Sequence, residues 1–281
     1  MSVAVARPRA KPALAGDRAV NGALKAHAGL IYAYLYLPIL VVVVYAFNES
    51  RLVHVWEGLS TKWIAVTFAD ETIRRALTIS FATAIANAII ASLLGTAAAL
   101  ALRNVGRRTR TTFDGFMYMA LIVPEIVIAI ASLLFFVTLR SYIGVDLVGP
   151  PAIVITHSVF NTSVVALVVR ARLAGMDRTL EEASADLGAT RWGTFRDVTF
   201  PQLFPAILAG ALLAFTFSFD DVVLSTFVSS PGSTTLPVRI FAELRFGLTP
   251  KVNVVAVFTL ALTLTMIVIA QLLLRRDPRS R

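Results

Sequence analysis

The chain has 281 residues, and 57% of them are hydrophobic, against about 45–50% in ordinary soluble domains. This excess predicts a polytopic membrane protein and excludes a large soluble domain. The absence of cysteine excludes disulfides and thiolate metal ligands. The net charge of +9 is compatible with nucleic-acid binding, but its distribution follows membrane topology, so no nucleic-acid partner is predicted.

Six apolar segments are long enough to cross a hydrocarbon layer, which takes roughly 20 residues of helix. They cover residues 29–47, 76–102, 115–139, 151–170, 205–228 and 253–274. The first has no convincing signal-peptide cleavage site and is predicted to be an uncleaved anchor. The chain then divides into a flexible basic tail (1–28), a transmembrane domain (29–275) and a short C-terminal tail (276–281).

Lysine and arginine are unevenly distributed among the connections. They concentrate in the N-terminal tail, around Arg103–Arg110, around Arg170–Arg196 and at the C-terminus, and they are sparser in the other connections. Basic connections stay in the cytoplasm. Both termini and the loop at about 171–204 are therefore predicted to be cytoplasmic. The histidines His27, His54 and His157 are scattered, so no metal site is predicted.

The cytoplasmic loop contains a polar stretch, Glu181 to Pro201, that lies between long apolar segments. Thr179 followed by Glu182 forms a capping box, which predicts the start of a helix. Gly188 is suited to end that helix with a positive φ. Pro201 and Pro205 punctuate the entry to the next apolar segment.

The predicted loop helix has two faces. One is apolar and contains Leu180, Ala183 and Leu187 at helical spacing. The other is acidic and contains Glu181, Glu182 and Asp186. On the helix pattern alone, an ordinary solvated loop helix, with Glu182 acting only as a cap, is the simplest interpretation.

Three acidic residues lie inside the predicted spans: Glu125, Asp220 and Asp221. Insertion of an aspartate at the centre of a span costs about 2.5–3.5 kcal/mol. With no basic residue well inside a span, the partners of these acids are polar groups, protons, water or a passing cation. At about 1.5 Å per residue, the two aspartates are predicted in the outer half of the membrane and Glu125 near its middle.

Three further polar residues are predicted at mid-depth, and together with the acids they define a candidate path: Asn87, His157 and Asn161. The alternative is that the acids are structural, either protonated or hydrogen-bonded to neighbouring helices. Neighbouring residues of a helix point about 100° apart, so Asp220 and Asp221 cannot both face one path squarely.

Two sets of motifs resemble permease subunits of binding-protein-dependent ABC importers. Glu182-Ala183-Ser184, Gly188 and the run Val198 to Pro201 have the spacing of that family's docking loop. Three further runs resemble the C-type membrane subunit of spermidine/putrescine importers: Ser218 to Asp221, Ser229 to Pro237 and Gly247 to Asn253. Lys251 departs from this pattern, because the family usually has Glu there.

The resemblance implies an all-α membrane protein with six transmembrane helices of the ABC importer (type I) permease fold, in the bacterial cytoplasmic (inner) membrane. It also implies three partners: a second related permease, two copies of a cytoplasmic ATPase that bind ATP and magnesium, and an extracytoplasmic polyamine-binding protein. The chain itself is then not an enzyme and binds no cofactor. The ATPase-docking residues are expected among Glu181, Glu182, Ala183, Ser184, Asp186, Leu187 and Gly188.

Three alternatives stay open. The first is an importer of the same kind for another organic cation or an amino-acid derivative. The second is a secondary transporter with its own ion coupling, against which the Glu181–Pro201 stretch argues. The third is an intramembrane enzyme, for which the sequence offers no nucleophile–base pair or metal set at one depth.

Overall fold

A computed structural model describes residues 15–53, 55–246 and 249–275. The helices are α1 (Ala15–Tyr45), α2 (Lys62–Ala69), α3 (Glu71–Ala101), α4 (Arg107–Ile122), α5 (Glu125–Ile143), α6 (Pro150–Ala174), α7 (Thr179–Asp186), α8 (Arg191–Thr194), α9 (Phe200–Phe219), α10 (Val223–Val228), α11 (Leu236–Phe246) and α12 (Pro250–Arg275). A π-helical turn, Phe195–Thr199, joins α8 to α9. Within the described ranges, the only extended pairing is one isolated bridge between Asn48 and Leu59.

The described residues contain six helices that are long and apolar enough to cross a membrane, which confirms the predicted number. They are Val20–Tyr45, Glu71–Ala101, Glu125–Ile143, Pro150–Ala174, Arg191–Phe219 and Pro250–Val268. α1 begins at Ala15, inside the stretch predicted to be a flexible tail. The tail residues 1–14 and 276–281 lie outside the described residues.

The third predicted span is broken near its middle. Val123 and Pro124 have extended backbone angles, with ψ of 128° and 134°, so α4 ends at Ile122 and α5 begins at Glu125. The proline ring disfavours helical geometry in the residue before it. Glu125 is therefore the first residue of α5, and its depth in the membrane stays a prediction.

The fifth predicted span is also interrupted. α9 ends at Phe219, Asp220 to Val222 form a non-helical break, and the short helix α10 follows. α9 has 20 residues, which at about 1.5 Å each cover roughly 30 Å. Asp220 and Asp221 thus lie past the end of α9. The angle between their side chains is therefore not set by the step of about 100° in a continuous helix.

Helices α3, α6 and α9 pack closely where two glycines meet one valine. A Cβ added to Gly95 of α3 would lie 2.7 Å from Cβ of Val165 in α6. A Cβ on Gly210 of α9 would lie 3.1 Å from Cγ1 of the same valine. Small residues allow this close approach of helix backbones, which is the usual means of helix packing in membranes. Val165 is fully buried at the centre of the three-helix core.

Ion pairs place alternate connections at the same end of the molecule. Arg103, which follows α3, contacts Glu181 of α7, while Asp70, which precedes α3, contacts Lys251 at the start of α12. The second and fourth connections therefore share one end, and the first and fifth share the opposite end. This arrangement agrees with six successive crossings. That the α7 end faces the cytoplasm stays a prediction from charge.

The Asp70–Lys251 pair links α3 and α12 at the end predicted to be external. Lys251 Nζ donates to Asp70 Oδ2 at 2.6 Å, and Asp70 also accepts the N–H of Thr72 at the start of α3. The ammonium of Lys251 and the hydroxyl of Thr72 hold the pKa of the Asp70 carboxyl well below its usual range. Lys251, at the position where the spermidine/putrescine permeases usually have Glu, thus forms an ion pair with Asp70 of the same chain.

We expect the Lys251→Gln variant to be less stable than wild type by up to roughly 1 kcal/mol at neutral pH. Since the folded pKa of Asp70 is depressed, the pair stabilises the fold fully above the unfolded pKa, about 3.9. The stabilisation is lost as pH falls further, through the folded pKa. Thermal unfolding of the purified chain in detergent at pH 7 and at pH 3 checks this. An undiminished difference between variant and wild type at pH 3 would contradict it.

Candidate functional site

The loop helix α7 starts differently from the sequence prediction. Thr179 is the first helical residue rather than the cap, and no side-chain capping bond involves Thr179 or Glu182. The carboxylate of Asp177 accepts the backbone N–H of Thr179 at 2.9 Å, and these bonds to Thr179 lower the pKa of Asp177. The predicted capping box is therefore wrong. The N–H of Thr179, which Glu182 would accept in a capping box, is bound by the carboxylate of Asp177 instead.

The end of α7 is the predicted glycine stop. Gly188 has a φ of +83°, and its N–H donates to the carbonyl of Ala185 at 2.9 Å. The N–H of Ala189 donates to the carbonyl of Ser184 at 3.1 Å. These two bonds form a Schellman motif, in which a left-handed residue satisfies the last carbonyls of the helix. Gly188 thereby fixes the direction in which the chain leaves α7.

One member of the predicted acidic face points into the protein. Glu181 Oε1 accepts from Arg103 Nη1 at 2.7 Å and from the Thr199 hydroxyl at 2.9 Å. The guanidinium of Arg103, more than the Thr199 bond, lowers the pKa of Glu181 despite partial burial. Glu181 therefore ties α7 to the end of α3 and to the π-helical turn. It does not lie on a free docking face.

The opposite side of α7 is unusually apolar for an exposed loop. Leu187 is 90% exposed and Trp192 of α8 is 70% exposed, while Leu180 is about half exposed. The other exposed members of this face and its rim are Glu182, Ala183, Asp186 and Gly188. Ser184 is half-buried, and its hydroxyl lies 3.1 Å from that of Thr194, which joins α7 to α8. The three exposed apolar side chains of this loop, Leu180, Leu187 and Trp192, are together called the α7 face below.

The second candidate region is a cavity at the C-terminal end of α9, the end predicted to be external. It has a volume of about 510 Å³ and is bounded by the end of α9, by α11 and by α12. Its walls are mostly apolar, and the polar residues among those that line it are Asp220, Thr259 and Thr263. Asp220 is exposed and lines this space. The cavity therefore joins one acidic group to an apolar wall.

Asp221, the next residue, points the other way. Its side chain is 8% exposed, and its Oδ2 lies 3.2 Å from His157 Nε2 of α6. The same carboxylate accepts the backbone N–H of Ser225 at 2.7 Å and that of Leu224 at 3.3 Å. The structure thus separates the two aspartates. Asp220 borders the cavity, and Asp221 lies inside the helix packing.

The polar residues predicted to line a path are buried among helices. His157 Nδ1 lies 2.7 Å from the Ser218 hydroxyl, and Asn87 donates to the carbonyl of Ala214 at 2.9 Å. Asn161 is buried as well, and its side-chain oxygen has no hydrogen-bond partner among the described residues. The structure does not bring Asn87, His157 and Asn161 to the cavity beside Asp220. Glu125 is exposed at the first residue of α5, and it does not line that cavity.

Sequence reasoning missed two partners, Arg103 and Ser225. Arg103 entered the prediction only as a topology charge, and Ser225 did not enter it. Arg103 reaches the carboxylate of Glu181 through tertiary packing. Ser225 reaches that of Asp221 because the helix is interrupted at Asp220 to Val222. The sequence pattern reveals neither feature. No group of three or more histidine and acidic residues suited to a metal occurs in the described part of the chain.

These features define the class: a six-span membrane protein that presents an exposed apolar helix at one end and a cavity containing an acid at the other. A family profile for the inner membrane component of binding-protein-dependent transport systems matches residues 91–279. The chain belongs to this family, and it is a multi-pass protein of the inner membrane.

Two relatives of known role match most of the chain. The putrescine transport system permease protein PotI of Escherichia coli K12 is 40% identical over 253 residues, which cover 89% of this chain and 90% of PotI. The spermidine/putrescine transport system permease protein PotC of the same strain is 36% identical over 245 residues, which cover 87% and 91%. This chain is homologous to both permeases.

Solved structures show the same fold at low sequence identity. A bacterial ABC transporter involved in import of the acidic polysaccharide alginate matches with a TM-score of 0.75 and 16% identity, over 94% of this chain and 97% of that one. The methionine ABC transporter MetNI matches with a TM-score of 0.59 and 17% identity, over 79% and 100%. The expected ABC importer permease fold is therefore confirmed.

Proposed function

We propose that this chain forms half of the translocation pathway of an ATP-driven importer of polyamines, namely putrescine or spermidine. The observation that carries the proposal is the identity of 36–40% to PotC and PotI across nearly the whole chain. A second observation is the acidic cavity, because a polyamine is a flexible chain of methylene groups that carries ammonium groups. An apolar wall with one carboxylate matches that chemistry.

The α7 face couples the chain to an ATPase. Leu187 and Trp192 are large apolar side chains that are exposed in the single chain, and burial against a partner removes them from water. Glu182 and Asp186 on the same helix add charged contacts at the rim. Two copies of a cytoplasmic ATPase bind ATP and magnesium and hydrolyse the nucleotide. This chain supplies no catalytic group and no cofactor site.

Two further partners complete the importer. A second, related permease provides the other half of the pathway, and an extracytoplasmic binding protein delivers the polyamine. In support, no residue in the apolar window of α1 is buried, which leaves a large surface for a neighbouring subunit. ATP binding and hydrolysis then alternate the opening of the pathway between the two sides of the membrane.

Asp220 and Glu125 are the acids that meet the cargo. Asp220 borders the cavity at the predicted outer end, and Glu125 is exposed at the beginning of α5. An unpaired ammonium in a low-dielectric environment is costly, and acids at two depths provide successive partners. Contacts at each acid stay weak, because the cargo has to leave as well as enter.

The test is ATPase activity of the complete complex in nanodiscs, with its binding protein loaded in turn with putrescine, spermidine, a quaternary ammonium compound or an amino acid. We expect stimulation by a polyamine-loaded binding protein. Stimulation by the quaternary ammonium compound or the amino acid alone would establish the alternative, an importer for another organic cation or an amino-acid derivative. Activity in the absence of any loaded binding protein measures the background.

A further inference from the structure

A single histidine contacts residues on both sides of the helix break at Asp220 to Val222. His157 of α6 is 1% exposed and meets residues on both sides of the break. Its Nδ1 lies 2.7 Å from the hydroxyl of Ser218 in α9, and its Nε2 lies 3.2 Å from the carboxylate of Asp221. Nε2 is also 3.4 Å from the hydroxyl of Ser225 in α10. One imidazole therefore connects three helices.

We infer that His157 is a positioning residue for transport. It fixes Asp221 on the inner side of the break and thereby turns Asp220 towards the cavity. This inference rests on the proposed function for its role in cargo transport. The geometry itself is independent of what the cargo is.

The chemistry of the carboxylate supports this assignment. Nε2–H of an imidazole can donate to Asp221 whether the ring is neutral or charged, since only the state of Nδ1 differs, and Nδ1 meets a hydroxyl that can either donate or accept. The remaining acceptor positions of Asp221 take the backbone N–H groups of Leu224 and Ser225. Asp221 is therefore engaged inside the protein, and the acid available to a cation at this level is Asp220.

A histidine that only fills space in the core is the simpler alternative. Such a role requires bulk at the position but no particular ring nitrogen. The positioning role requires a donor at the site of Nε2. Glutamine can place its amide near the position of Nε2, whereas asparagine reaches only the region of Nδ1. The His157→Gln and His157→Asn variants therefore distinguish the two roles.

The first measurement is chemical labelling in the complete complex. The chain has no cysteine, so Asp220→Cys gives a single thiol beside the cavity while leaving Asp221 and His157 in place. The probe is a cationic methanethiosulfonate. Adding His157→Asn should slow modification by about tenfold, because removal of one partner leaves a buried charge uncompensated and shifts the break. Adding His157→Gln should leave the rate within about twofold of the single-cysteine chain.

The matched control is Thr156→Val. Thr156 is buried beside His157, and its hydroxyl has no hydrogen-bond partner within the described residues, so this nearly isosteric change tests disturbance of α6 alone. Equal labelling rates in the Gln and Asn variants would overturn the proposal, as would an equal effect of Thr156→Val. Loss of assembly in both His157 variants would also overturn it, in favour of a core role.

The second measurement is uptake of labelled putrescine by the complex with Asp220 intact. His157→Asn should lower the maximal rate about tenfold or more, with the rate largely rescued in His157→Gln. Normal uptake in His157→Asn would overturn the role in transport. If the wild-type complex carries no polyamine, the proposed function fails, but the labelling rates still test the position of Asp220. The two failures are therefore distinguishable.

Discussion

The Gly188→Val variant is expected to lose most of the ATPase stimulation of the assembled importer, by about tenfold or more, while the chain still inserts into the membrane. Gly188 has a φ of +83°, a conformation that costs an L-residue roughly 1–2 kcal/mol and a β-branched residue more. Relief of this strain requires the Schellman bonds to break. The end of α7, including Leu187, would then change direction.

The matched control is Gly188→Asn, since asparagine tolerates the left-handed region far better than valine. We expect near-normal stimulation in this variant. The measurement is ATPase activity of purified complexes that contain equal amounts of the permease. Equal activity of the Asn and Val variants would contradict the role assigned to the backbone of Gly188. Normal coupling in both Gly188→Val and Glu182→Lys would overturn the assignment of α7 as the docking element.

The second large effect is expected from Gly95→Val, which should strongly destabilise the folded bundle. The new Cβ would lie 2.7 Å from Cβ of Val165, 2.9 Å from N of Ala166 and 2.9 Å from the carbonyl oxygen of Thr162. Two of these neighbours are backbone atoms, which cannot rotate away. Overpacking of a core costs about 1–3 kcal/mol, and a clash with backbone falls at the upper end of that range.

Gly115→Val is the matched control, because Gly115 lies within helix α4 and a Cβ there meets nothing within 4 Å. Both substitutions introduce the same residue into a helix. The measurement is the yield of monodisperse chain after detergent extraction, together with its thermal midpoint. A midpoint for Gly95→Val within a few degrees of that for Gly115→Val would show that α3 and α6 do not pack as described.

The sequence was sufficient for the large-scale features because their causes are local. Apolar runs of bilayer length predicted the six spans, and the glycine at position 188 predicted the end of α7. The interruption of the third predicted span at Pro124 also has a local cause, because the proline disfavours helical geometry in Val123. The sequence pattern predicted one continuous span through Glu125, whereas α5 begins at Glu125 itself.

The candidate site was less predictable because its geometry depends on contacts between distant residues. Spacing along a helix indicated that Asp220 and Asp221 diverge, but it gave no indication of which acid points inward. That choice depends on His157, which lies more than sixty positions earlier in the chain and reaches Asp221 only through packing of α6 against α10. For the same reason, the bond from Arg103 to Glu181 turned a predicted docking residue into an internal contact.

The measurement that tests the central claim most directly is uptake of radiolabelled putrescine and spermidine into vesicles. The vesicles contain the complete complex with its binding protein outside and ATP inside. We predict uptake that requires ATP hydrolysis and that falls about tenfold or more in Asp220→Asn, since the variant removes the charge that pairs with the ammonium. Polyamine uptake that is unchanged without ATP, or no polyamine uptake alongside ATP-driven transport of another solute, would contradict the account.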